Sequence, residues 1–211
     1  MLPFSREQFI AVFVAHHAAM WPLQWLALGL GAAIAAAMAA RSPPAPWRRQ
    51  LVAGGLAALW LASGIGYHAL QFSTINRAAW PFALLFVLQA GLWFQLGVRQ
   101  SRWDLAPASP PRRLLGWAFI AYAAIAYPSI GLALGHRWPE LPAFGLTPCP
   151  LTLFSVGVLL LARGPAPRHV LVIPLAWALV GGSAALLLDM PQDWALWAAL
   201  PVLIQLWRDA R

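Results

Sequence analysis

The chain reads as an all-α, polytopic transmembrane helix bundle of about seven spans. Its N-terminus is expected outside, its C-terminus inside, and its first helix long and kinked at Pro22. Three observations predict this. Hydrophobic residues make up 61% of the 211 residues and charged residues only 9%, too few charges to cover the surface of a soluble domain of that size. The apolar residues fall into runs at 22–40, 51–72, 78–98, 114–135, 150–162, 169–188 and 194–207, most of them close to the roughly 20 residues that cross a bilayer as a helix. All 14 basic side chains are arginines, and they fall on alternate sides of those runs.

The first residues, 1–4, carry no basic n-region, and the apolar stretch that follows is too long for the core of a cleavable signal. Ser5 followed three residues later by Gln8 is a capping-box pair that starts a helix. From Phe9 to Ala40 no turn interrupts the apolar character, so one long helix, or two collinear pieces, is expected with a bend at Trp21-Pro22. Ala11, Ala15, Ala18 and Ala19 give the first piece a small-residue face for close packing; the alternative is a re-entrant or interfacial helix lying on the outer surface. The second, third, fourth and sixth runs are long enough to span. The fifth starts irregularly at Pro148 and Pro150 and reads either as a full span or as a broken one, and the seventh is also short. The runs are rich in Ala and Leu without period-two alternation, which excludes a membrane barrel.

The connections set the orientation. Arg41, Arg48 and Arg49 follow the first run, Arg99, Arg102, Arg112 and Arg113 the third, Arg163 and Arg168 the fifth, and Arg208 and Arg211 form the tail, against only Arg6, Arg77 and Arg137 on the other side. Arginine-rich short loops stay in the cytoplasm. Glu7, Glu140, Asp189 and Asp193 then lie outside, Asp104 and Asp209 inside. The net charge of +8 is thereby explained by topology and needs no nucleic acid; the expected partners are the lipid bilayer, including its anionic headgroups, and other membrane proteins. Trp21, Trp47, Trp80, Trp103, Trp117, Trp138, Trp194 and Trp207 lie near run ends, where indoles favour the headgroup region. The proline-rich pieces 42–46 and 107–111 read as linkers inside one domain covering residues 1–211. Absence of lysine with abundant Ala, Arg, Gly and Pro points to a bacterial inner membrane.

Four of the five histidines map to the expected outer side: His16 and His17 before the kink, His68 near the end of the second run and His136 at the end of the fourth. Only His169 lies on the inner side. The single cysteine, Cys149, excludes an internal disulfide and joins the outer set, as does Asp189. Imidazole, thiolate and carboxylate are transition-metal ligands, so His68, His136, Cys149 and Asp189 are the candidate metal site, with a transition metal or haem as the cofactor such a set would hold. The bland reading is that each is a satisfied polar group at a helix end. Their spacing shows no HxxxH, CxxC or HExxH pattern. Tyr67, Gln71, Tyr122 and Tyr127 are further outer-half polar groups; Gln89 and Gln95 read as interhelical hydrogen-bonding groups. The glycine pairs at 54–55 and 181–182 and Gly64-x-Gly66 read as close-packing positions.

Several stretches together resemble an uncharacterised family of bacterial multi-pass membrane proteins, a domain of unknown function sometimes labelled a transporter permease. They are Leu2-Pro3-Phe4-Ser5-Arg6-Glu7-Gln8-Phe9, Trp21-Pro22, Gly66-Tyr67-His68, Ile75-Asn76, Gly135-His136-Arg137, Phe144-Gly145-Leu146-Thr147-Pro148-Cys149-Pro150, Ile173-Pro174 and Gly181-Gly182-Ser183-Ala184. The resemblance covers nearly the whole chain. It implies one integral-membrane domain and no known activity. Three functions fit these observations. The first is binding or transport of a cation or small solute through a polar site at the outer face. The second is an accessory or scaffold subunit of a membrane complex. The third is a membrane-embedded enzyme, against which stands the absence of any recognisable catalytic motif.

Overall fold

The computed structural model describes residues 3–40, 45–99 and 103–210; Arg41, Arg102, Arg211 and most of the 42–46 linker lie outside the described residues. The described chain is helical throughout, with no strand beyond an isolated bridge between Pro107 and Ala162. Each apolar run coincides with a helix. In order these are α1 (Arg6–Ala19), α2 (Leu23–Ala39), α3 (Pro46–Ala62), α4 (Ala79–Phe94), α5 (Pro110–Ala121), α6 (Tyr127–Ala133), α7 (Pro148–Leu161), α8 (Arg168–Leu187) and α9 (Ala195–Asp209). π turns extend α3 over Ser63–Ala69 and α4 over Gln95–Arg99, and a third, Tyr122–Ala126, joins α5 to α6. This third widening has a local cause: Pro128 has no N–H to give the carbonyl of Ala124, so the turn before it opens.

Among the described residues, four helical segments are long and apolar enough to cross a membrane: Pro46–Thr74, Ala79–Arg99, Pro110–Ala133 and Arg168–Leu187. The bent pair α1–α2 makes a fifth if counted as one span. The outward faces of α4 and α8 are apolar like their inward ones. Leu84, Leu85, Val87 and Leu88 on α4 and Val172, Leu179, Val180, Leu186 and Leu187 on α8 are all exposed. A helix that is hydrophobic all round lies in a large core or in lipid.

The expected bend between residues 9 and 40 is present and sharp: α1 and α2 meet at 89°. The capping box forms as the sequence implies, with the Gln8 N–H donating to Ser5 Oγ at 3.3 Å and the Ser5 N–H to Gln8 Oε1 at 2.8 Å. At the break, Gln24 Nε2 donates to the His17 carbonyl at 2.7 Å, satisfying an acceptor that the helix no longer reaches. Instead of continuing α2, α1 lies across one end of the bundle. Arg6 holds it there, its Nε donating to the Leu188 carbonyl at 3.0 Å, beyond the last turn of α8.

The centre is α7, whose residues are all buried. At 14 residues it is about 21 Å long, well short of the roughly 30 Å hydrocarbon thickness. Its apolar composition is therefore that of a protein core. α5 crosses it at a glycine contact. A Cβ on Gly157 would lie 2.7 Å from the Gly116 carbonyl oxygen, and one on Gly116 would lie 2.9 Å from the Gly157 oxygen. Only glycine at both positions lets the backbones approach so closely.

At the arginine-rich end, the 107–111 linker is tied down, with Ala108 N–H donating to the Leu161 carbonyl at 3.1 Å and Arg163 N–H to the Ala106 carbonyl at 2.7 Å. Arg48 is buried and donates to the carbonyls of Ala37 and Ala40 at the end of α2. Gln89 bridges helices as expected, its Nε2 donating to the Val170 carbonyl at 2.9 Å. The tryptophans divide. Trp21, Trp80, Trp138 and Trp194 are exposed at the opposite, arginine-poor end, and Trp47 is exposed at the arginine-rich end. Trp103, expected in the same belts, is instead buried against Trp93 at 5.4 Å between ring centroids. A residue near a run end in sequence has here been folded into the core by the tied linker.

Candidate functional site

The arginine-poor end holds a cavity of about 370 Å³. Its walls come from elements that the sequence brings together only through the fold. α1 supplies Phe4, Phe9 and Phe13 from its approach and its inner face; the segment after α3 supplies Tyr67 and Phe72, α4 supplies Phe82 and α8 supplies Trp177. These rings hold one another. Phe4 meets Phe72 edge-on at 5.3 Å, Phe9 meets Phe13 edge-on at 4.9 Å, and Tyr67 stacks with Phe13 at 5.9 Å and with Phe72 at 5.7 Å. Offset and edge-to-face pairs at such separations add to the burial energy of the rings. The π turn at Ser63–Ala69 turns Tyr67 towards the chamber, and π turns recur at functional sites.

Among the described residues, Asp193 is the one charged residue lining this chamber. It sits in a single turn of 3-10 helix, Pro191–Trp194, that links α8 to α9, and it is 4% exposed. Tyr127 O–H donates to its Oδ1, and the Cys149 thiol lies within hydrogen-bonding reach. Tyr122 O–H fixes the same turn, donating to the Gln192 carbonyl at 2.8 Å. Burial pushes the Asp193 carboxyl up to about 6, against the pull of its bonds to Tyr127 and Cys149. A carboxyl held near neutrality inside a cavity is the kind of group that binding and proton-handling sites use. Tyr127, Pro142 and Pro150 also line a second cavity of about 240 Å³, bounded by His17, Gln24 and Trp138. The two chambers thus share a wall.

The four expected metal-site residues occupy three different environments. His68 is fully buried among aromatic rings, with Phe86 at 4.6 Å and Trp177 at 5.0 Å, and neither of its ring nitrogens has a hydrogen-bond partner. His136 Nε2 lies 3.4 Å from Arg6 Nη2, and its Nδ1 lies 3.9 Å from Glu140 Oε2. Asp189 is exposed and takes a left-handed backbone, φ 51°, just after α8; its carbonyl accepts from Arg6 at 3.5 Å. Aspartate tolerates that backbone better than most residues, which explains its position without a ligand. Cys149 faces the aromatic chamber. Arg6 therefore brings His136 and Asp189 together, while His68 and Cys149 lie elsewhere. Among the described residues, no three His, Cys, Asp or Glu side chains are grouped to hold a metal ion.

His16, like His68, is fully buried; it sits edge-on to Tyr67 at 5.6 Å, with the backbone carbonyls of Gly66 and Leu146 close to its ring. His17 is satisfied: its Nε2 lies 2.6 Å from the Leu141 carbonyl oxygen and its ring sits on Trp138 at 3.9 Å. Sequence reasoning placed Asp193 among the outer acids but did not single it out. Its partner Tyr127 did stand out as an outer-half polar group. The missing signal was which of two acids, four residues apart in a short connection, turns inward.

Residues 6–210 match the profile of DUF6064, a family of unknown function. No curated protein and no solved structure matches the chain. The match covers nearly all of it, so the chain belongs to the DUF6064 family.

Proposed function

We propose that this protein is an integral, multi-pass protein of the bacterial inner membrane that takes a small, largely apolar solute into the aromatic chamber. Its arginine-rich end faces the cytoplasm and the chamber opens at the outer end. The observation that carries the reading is the chamber itself: aromatic walls closed at one side by a buried carboxyl that Tyr127 orients. Ligand sites are largely apolar concavities with a few placed polar groups. The apolar outward faces of α4 and α8 support lipid as the surrounding medium. The arginine asymmetry supports the orientation, and the exposed Trp21, Trp80, Trp138 and Trp194 suit an outer headgroup belt. α1, lying at 89° to α2, suits a helix in the interface plane that also walls the site.

The test is equilibrium binding to the full chain in mild detergent. The probes are neopentylbenzene and benzyltrimethylammonium, an uncharged and a charged ring of nearly the same shape. Saturable binding of at least one is expected. Ala184 lines the chamber, so Ala184→Phe should fill it and weaken that binding at least tenfold, about 1.4 kcal/mol. No saturable binding of either probe, or binding indifferent to Ala184→Phe, refutes a solute chamber. A stoichiometric protein partner with an indifferent chamber would favour the scaffold reading.

A further inference from the structure

Resting on the chamber being a solute site, we propose that its solute is a lipophilic organic monocation, with its charge against Asp193 and its apolar body among the rings. Three features of the chamber select this class. Among the described residues the lining has one acid and no arginine or histidine, so an anion meets only a like charge and electron-rich rings. A small inorganic cation would need several oxygen ligands, and the chamber walls are mainly carbon. A neutral apolar solute would fill the space but leave the buried carboxyl uncompensated. An ammonium or phosphonium ion is served by both the carboxylate and the aromatic rings of the lining, Phe13, Phe72 and Trp177 among them.

The charge balance is simple. Below about pH 6 burial favours the neutral acid in the empty chamber, and entry of the cation drives the Asp193 proton out to water. Above that pH the carboxylate is already formed, and the cation supplies the positive charge that it lacks. The titratable groups facing Asp193 are Tyr67, Tyr122, Tyr127 and Cys149. None is basic, so no other side chain supplies the compensating charge.

The experiment compares the two probes on the native chain and on Asp193→Asn, at pH 5 and pH 8. The cation should bind the native protein at least tenfold more tightly than neopentylbenzene at pH 8. With Asp193 titrating at about 6, its Kd should rise about tenfold on going to pH 5 as protons compete for the carboxylate. In Asp193→Asn the cation should lose its advantage over the neutral ring and its pH dependence. Equal binding of the two probes, or cation binding indifferent to pH in the native protein, overturns the cation assignment but leaves the solute chamber standing. No binding of either probe overturns both. The pH series on the native chain decides the matter even if the variant does not fold.

Discussion

Asp193→Asn is also a sharp test of the energetics. The carboxyl titrates at about 6 in the protein against an ordinary 3.8, because burial penalises its charged form. The folded chain thus holds this proton more tightly than the unfolded chain does. Asp193's favourable contribution to stability is complete below 3.8, is lost as pH rises through 6, and does not change further above that. At about 1.4 kcal/mol per pH unit, the ionised side chain costs the fold about 3 kcal/mol at neutral pH. Asparagine keeps the shape and an acceptor for the Tyr127 O–H but cannot ionise. In the ligand-free protein at pH 7.5, Asp193→Asn should therefore be more stable by up to about 3 kcal/mol. For a chain of this length that is roughly 6–12 °C in apparent Tm. At pH 5 the gap should shrink to about half. The assay is thermal unfolding in one detergent, followed by size-exclusion fluorescence at both pH values. A variant less stable than the native protein at pH 7.5, or a gap that does not change with pH, would show that the carboxylate is well compensated and that the reasoning about the chamber is wrong.

Gly157→Leu places a side chain where even a Cβ would lie 2.7 Å from the Gly116 carbonyl; overpacking of this kind costs about 1–3 kcal/mol or more, and a sharp fall in the yield of monodisperse protein is expected, while Gly91→Leu, where nothing lies within 4 Å of an added Cβ, should be tolerated. His68→Phe removes two buried, unpartnered ring nitrogens from an aromatic setting, each worth about 1–3 kcal/mol when unsatisfied; an unchanged or raised Tm is expected, and a large loss would mean that His68 has a partner in the working protein. Reporter fusions after Ala210 and within the 138–143 connection should report opposite sides of the membrane, and the same side at both positions would refute the odd number of crossings between them.

Much of the fold is visible in the sequence because its signals are local. Helix positions follow from apolar runs, the start of α1 from Ser5 and Gln8, and the break before α2 from Pro22, each within one or two turns of the residues concerned. What hydropathy leaves open is the identity of the apolar surroundings. The 150–162 run reads like a span, yet α7 is wrapped by protein on all sides, and a side chain transferred from water gains much the same in either medium. The site was less legible still. Placing polar residues at one end of the bundle depends only on counting crossings, and that is how His68, His136, Cys149 and Asp189 are assigned to one end. Which of them face each other depends on helix rotation and on the path of the connections. Asp189 ends α8 with its side chain outward, and Asp193 turns in because Tyr122 and Tyr127 pull its turn against the π segment. No periodic pattern spans those few residues to reveal it.

Three of the chamber's phenylalanines belong to a piece of chain that is joined to the rest only through the break at residues 20–22 and pinned at its far end by Arg6. Arg6 fastens it to the end of α8, and His17 fastens it near the break to the Leu141 carbonyl. The two halves of the chamber are thus built on separate pieces of chain: Phe4, Phe9 and Phe13 on one, the rings on α4 and α8 and the carboxyl on the 191–194 turn on the other. Substitution at Arg6 would therefore loosen three phenylalanines at once without altering a residue that the solute would touch.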